Sequence, residues 1–141
     1  MKRLRFYLLL AASVASWSAV PAKAVQPAQP LLVANAITPG NWRIKAPGMP
    51  DQSLCLADIL PLLQLQHPQP GCSRFTIADK FDRATVHYSC TGAGWGRTTV
   101  IVSTPRLVLI DTQGIARSEP FAYEAEARRT GDCEIPSRQR R

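Results

Sequence analysis

Apolar and polar residues alternate through much of the chain beyond residue 40, and a period of two predicts strands with one buried face. Trp42 and Ile44 alternate with Arg43 and Lys45. Phe75 and Ile77 alternate with polar partners, and Val86 and Tyr88 lead into Cys90. Residues 97–104 hold the β-branched run Thr98-Thr99-Val100-Ile101-Val102, which suits a pleated, half-buried surface. Residues 106–111 repeat the pattern. Phe121, Tyr123, Ala125 and Ala127 then alternate with Glu124, Glu126 and Arg128. Alanine, glutamate and arginine also favour helices, but the regular alternation, with both aromatics on one side, favours a strand.

Between these runs the punctuation is that of turns. Pro47-Gly48 suits a type II turn, in which proline presets one φ and glycine accepts the positive φ that follows. Asp79-Lys80-Phe81-Asp82 and Asp111-Thr112-Gln113-Gly114 read as hairpin turns. Leu56, Ile59, Leu60, Leu62, Leu63 and Leu65 give residues 54–65 a broad apolar side, capped by Asp51 or Ser53. Pro61 removes a donor within that segment, so it is one kinked helix or two short turns. The fold class expected is mainly β (α+β): an antiparallel sheet of about five to six strands with one short helix.

The first 24 residues follow a different pattern. Lys2, Arg3 and Arg5 form a basic head, 6–20 are apolar apart from Ser13, Ser16 and Ser18, and Pro21-Ala22-Lys23-Ala24 ends on small residues. This is the three-part pattern of a secretory signal, cut after Ala24. The apolar run of 15 residues is shorter than the roughly 20 needed to span a bilayer. The mature protein is therefore not expected to be an integral membrane protein, and its destination is the periplasm or the medium. Residues 25–36 read as a flexible lead-in, 37–135 as a single domain, and 136–141 as a basic disordered tail.

Charge argues against nucleic acid as a partner. Of the formal +7, four positive charges are Lys2, Arg3, Arg5 and Lys23 and three are Arg138, Arg140 and Arg141, which leaves residues 25–137 at zero. A nucleic-acid binder carries its excess as a patch on the folded body. The tail offers at most a weak contact with an anionic envelope surface.

Cys55, Cys72, Cys90 and Cys133 in an exported chain read as two disulfides with three connectivities open. No two are closer than 17 positions, which disfavours a structural zinc site built from close pairs. No metal and no cofactor is expected.

Several local patterns resemble a bacterial family of small exported proteins known as domain of unknown function 3617. They are Pro39-Gly40-Asn41-Trp42, Pro47-Gly48-Met49-Pro50, Cys55-Leu56 opening a short helix, Cys72 before a strand, Cys90 at a strand end, and the closing Arg129-Thr130-Gly131-Asp132-Cys133. Thr130 stands where family members often carry an aliphatic residue. The Met- and Gly-rich strands common in the family's second half are replaced here by 99–110. The resemblance covers about residues 37–133 and implies an exported β-rich fold with cysteines paired in chain order, Cys55–Cys72 and Cys90–Cys133. It implies no catalytic residue.

The chemistry-bearing residues are sparse. His67 and His87 are the only histidines, and neither has the spacing of a triad or a metal site. His67 precedes Pro68 in a turn and His87 falls opposite Val86 in a strand, so both read as ordinary surface or half-buried residues. Gly92-Ala93-Gly94-Trp95-Gly96-Arg97 lacks the following helix that a phosphate cradle needs, and reads as a glycine-rich hairpin. Trp95, with Arg97, is the candidate surface contact there. Asp79, Asp82 and Asp111 read as solvated turn residues.

The functional class expected is a non-enzymatic binding or accessory module, with Trp42, Tyr88, Trp95 and Tyr123 as candidate aromatic contacts. Two alternatives stand: an envelope enzyme whose site is dispersed through the fold, and a small inhibitor presenting the segment between Cys55 and Cys72.

Overall fold

The computed structural model describes residues 30–133. The expected signal, cleavage point and basic tail lie outside the described residues.

Seven antiparallel strands form one sheet in the order β2-β1-β7-β6-β5-β4-β3. The strands are β1 (Gly40–Lys45), β2 (Gln52–Leu56), β3 (Ser73–Asp79), β4 (Arg83–Cys90), β5 (Gly94–Thr104), β6 (Leu107–Ala116) and β7 (Glu119–Gly131). Strands β3 to β7 are a meander, and the β1–β2 hairpin joins the free side of β7. Two 3-10 turns, η1 (Leu32–Ala36) and η2 (Leu60–Gln64), accompany the sheet.

The strand count exceeds the expected five to six, and the extra strand is β2. The sequence pattern puts Leu54 and Leu56 in the expected helical segment 54–65, with Leu56 on its apolar side. Instead they sit two apart on a strand paired with β1, Leu54 opposite Trp42 and Leu56 opposite Gly40. Only η2 remains helical, with Pro61 in its first turn and Asp58, not Asp51 or Ser53, accepting a 2.8 Å hydrogen bond from Leu60 N–H. Proline is tolerated there because the first-turn N–H groups have no intrahelical partner.

A second correction concerns Asp111-Thr112-Gln113-Gly114, which runs straight through β6. The turn lies at Arg117 and Ser118, both at positive φ (51° and 67°). Gly114 serves packing instead: a Cβ there would stand 2.1 Å from the Trp95 carbonyl oxygen. The Pro47-Gly48 turn is as expected, with Gly48 at φ 73° and Met49 N–H bonded to Ala46 O.

One face of the sheet is the core face. Trp42, Ile44, Val86, Tyr88, Val100, Val108, Ile110 and Ala127 are buried on it, and Leu31, Val33, Ile59, Leu62 and Leu63 from the η1 and η2 regions are buried as well. Leu31 and Val33 fall within the segment expected to be a flexible lead-in, yet they are part of this core.

The cysteines pair as Cys55–Cys133 and Cys72–Cys90, not in chain order as the family resemblance implied. The strand order explains the difference. Ser73 is opposite Ser89 in the β3–β4 pair, so the next residues outward, Cys72 and Cys90, face one another. At the other edge, Cys55 and Gly131 are both register partners of Asn41, one on each side of β1. Cys133, two residues beyond Gly131, therefore meets Cys55. The Cys55–Cys133 bond spans 78 positions and Cys72–Cys90 spans 18. On chain entropy these are worth roughly 4.5 and 3 kcal/mol.

Candidate functional site

Among the described residues no helix or turn is laid over the sheet's second face, and register decides which side chains meet there. Across four strands one row reads Phe75, His87, Arg97, Gln113. The adjacent row reads Ser73, Ser89, Trp95, Ile115. Directly opposed side chains lie about 5 Å apart, and diagonal ones remain within reach of aromatic rings. The His87 and Trp95 rings accordingly approach to 5.4 Å between centroids at 31°. Trp95 is 41% exposed and Phe75 69%, so the patch presents planar side chains with Arg97, Gln113, Ser73 and Ser89 among them. Arg97 makes no ion pair with any described residue.

Of the four aromatics named from sequence as contacts, only Trp95 reaches this face. Trp42 and Tyr88 are fully buried and Tyr123 is half-buried, because all three point to the core face. Trp95 belongs to β5 and not to a loop tip, since the turn before it is at 91–93. Phe75 and His87 join Trp95 and Arg97 only through pairing across β3, β4 and β5. A sequence signal for them existed in the parity of the strands, but nothing local showed which strands are neighbours.

His67, expected at or near the surface, is 2% exposed. Its Nε2 lies 3.1 Å from the Ala93 carbonyl oxygen, and its Nδ1 lies 3.1 Å from the Tyr88 hydroxyl. A carbonyl only accepts, so in the neutral ring Nε2 carries the hydrogen and Nδ1 accepts from Tyr88. Both ring nitrogens are thus committed to joining the segment after η2 to the β4–β5 turn. Gly96 makes room for this arrangement, since a Cβ there would meet the Tyr88 ring and hydroxyl at 2.4 Å. Burial pushes the Tyr88 phenol up to about 12, with neighbouring Tyr123 adding to the rise. Tyr123 is also raised by burial, partly countered by the hydrogen bond from the Gln66 amide.

The carboxylates are dispersed. Asp79 is no solvated turn residue: it ends β3, its Oδ2 accepts a 2.8 Å hydrogen bond from Leu32 N–H, and its Oδ1 is buried with no partner among the described residues. Asp82 occupies the β3–β4 turn, and Asp111 is exposed on β6. Among the described residues no three His, Cys, Asp or Glu side chains come together as metal ligands, and His87 has Phe75 and Arg97, not carboxylates, directly across from it.

The motifs at the two ends of the domain meet and are structural. Arg129 Nε donates to the Pro39 carbonyl at 2.9 Å and its Nη2 bonds Asp132. A side chain on Gly40 would collide with this guanidinium and with the Gly131 carbonyl. Thr130 Oγ1 donates to Asn41 O at 3.1 Å. Pro39-Gly40-Asn41-Trp42 and Arg129-Thr130-Gly131-Asp132-Cys133 are therefore two halves of one clasp that delivers Cys133 to Cys55.

Comparison with protein-family models, with curated proteins and with solved structures returns no match. Among the described residues no helix is long and apolar enough to cross a membrane.

Proposed function

We propose that this is an exported, non-enzymatic binding module of the envelope, in the periplasm or secreted, which holds an acidic saccharide on the open face of its sheet. The single observation behind the reading is the patch of exposed Phe75, Trp95 and Arg97 around half-buried His87, on a face that no described element covers. A sugar ring offers C–H bonds on one side, which suit the electron-rich faces of Trp95 and Phe75. Its hydroxyls suit Ser73, Ser89 and Gln113, and a carboxylate suits Arg97 through a charge-assisted hydrogen bond. The signal-like first 24 residues and the two disulfides support export, since disulfides persist in oxidising compartments. Membership of the domain of unknown function 3617 family is part of the same proposal.

The inhibitor alternative loses its support, because the segment between Cys55 and Cys72 is not closed by a disulfide and buries Ile59, Leu62 and Leu63 in the core.

The test is a tryptophan-fluorescence titration of the exported protein with a galacturonate tetrasaccharide and with its neutral galactose counterpart. After cleavage at Ala24 the remaining tryptophans are Trp42, fully buried, and Trp95. The acidic sugar is expected to shift the emission of Trp95 and to bind about tenfold more weakly to Arg97→Gln. An emission unchanged by either sugar overturns the reading. A protein recovered with its first 24 residues still attached overturns the export half of it.

A further inference from the structure

A groove of about 580 Å³ runs along η2 between the two edge strands of the sheet. Its walls are apolar, made by Leu54 of β2, Leu60, Pro61 and Leu65 of the η2 region, and Pro68. The three leucines are half-buried and rest on the outside of the core. Its size falls in the range of small-molecule sites, roughly 300–1,000 Å³.

The polar groups that reach the groove are mostly committed to the fold. Asp58 Oδ1 accepts from Leu60 N–H. The Gln64 side-chain amide donates to the carbonyls of His67 and Gln69 and contacts Cys72 Sγ at 3.1 Å. Gln52 and Arg74 are left, and Arg74 makes no ion pair or side-chain hydrogen bond with any described residue. The groove also has a polarity. Its start adjoins β2 and Asp58, whereas the Gln64 contacts bring the far end of η2 against the beginning of β3, where Arg74 stands. A ligand matching this surface has an apolar body and one anionic end. A saccharide does not match it, since too few free donors and acceptors remain for its hydroxyls.

We propose that this groove binds the alkyl chain of a free fatty acid, with the chain along Leu54, Leu60 and Leu65 and the carboxylate on Arg74. The 3-10 geometry of η2 rises about 2 Å per residue, so the apolar floor is roughly 10 Å long and accepts a chain of about eight to ten carbons. The site is separate from the open sheet face and does not depend on the saccharide reading.

Decanoate, octanoate and decanol are titrated into the disulfide-intact protein below their aggregation limits, with methyl NMR shifts of the groove leucines as the readout. Decanoate is expected to bind at least fivefold more tightly than octanoate, since each fully buried methylene is worth up to about fourfold. It is also expected to bind about tenfold more tightly than decanol. Arg74→Gln, an exposed substitution, should remove the advantage of decanoate over decanol and leave decanol binding unchanged. Leu60→Asp should weaken all three, with a retained one-dimensional NMR dispersion showing that the fold persists. Trp95→Ala should change none of them, which separates this site from the sheet face. Equal binding of decanoate and decanol by the parent protein overturns the assignment of Arg74, and unperturbed leucine methyls overturn the groove as a lipid site.

Discussion

The two faces of the sheet use the same strands for opposite ends. On the core face the cross-strand neighbours are shaped to one another: Thr98 and Thr112 bond at 2.7 Å in the interior, and Gly96 leaves the space filled by Tyr88. On the open face Thr85 and Thr99 bond across β4 and β5 at 2.9 Å, but the row beside them holds the exposed Phe75 ring and, in Arg97, a guanidinium with no ion pair among the described residues. A sheet that has completed its core on one side has no structural use for Trp95 or Phe75 on the other. Substitution should therefore separate the faces, with stability read from the first and binding from the second.

The sharpest contrast comes from the two tryptophans. Trp42→Ala empties a fully buried site whose indole Nε1 donates to Thr38 O at 3.2 Å. It should cost about 3–5 kcal/mol in urea unfolding, as large-to-small core changes do. A loss under about 1 kcal/mol would mean that this face is not the packed one. Gly114→Ala comes next. Its new methyl has a carbonyl oxygen in its path at 2.1 Å, so the β5–β6 pair must part, at a cost of about 3 kcal/mol by the same measurement.

What the sequence disclosed follows the same division. Alternation placed β1, β4 and β7, because residues such as Trp42, Ile44, Ala125 and Ala127 face a core on one side only, and a β-branched run placed β5. Alternation also placed β3, although its Phe75 and Ile77 are exposed and not on a buried face. β2 was lost because its two leucines abut further leucines that belong to η2, so no local boundary separated the two periods. Gly114 misled because a glycine in a strand for close packing looks, in sequence, like a glycine in a turn. Arg117 and Ser118 hid the real turn by taking positive φ without glycine. The cysteine pairing was beyond any local pattern, since it depends on β7 returning to lie beside β1. Trp95 and Arg97 were legible as a candidate contact, whereas Phe75 and His87 required the pairing of three strands.

A third test reads the core face through pH. The Tyr88 phenol is raised to about 12 by burial, above its unfolded value of 10.0. The neutral phenol is the form the fold favours, so its contribution is fully present below pH 10 and is lost as pH rises towards 12. Stability should therefore fall across that window, and Tyr88→Phe should flatten much of the fall while leaving the smaller contribution of Tyr123. The same substitution leaves His67 Nδ1 without its donor, at a cost of about 1–2 kcal/mol at neutral pH. A wild-type profile flat from pH 9 to 12 would mean that the hydroxyl is in contact with solvent.

The smallest stability effect carries the most functional weight. Trp95→Ala removes a large side chain from the open face, where its neighbours are His87, Ser89 and Ile115. No core contact is lost, so urea unfolding should change by no more than about 0.5 kcal/mol. Binding of the acidic tetrasaccharide should nonetheless fall at least tenfold, because the stacking surface has gone. A drop in stability comparable to that of Trp42→Ala would show that the open face is structural. A neutral effect on both stability and binding would leave Trp95 with no part in the patch and move the contact to Phe75 and Arg97, which the Phe75→Ala variant then decides.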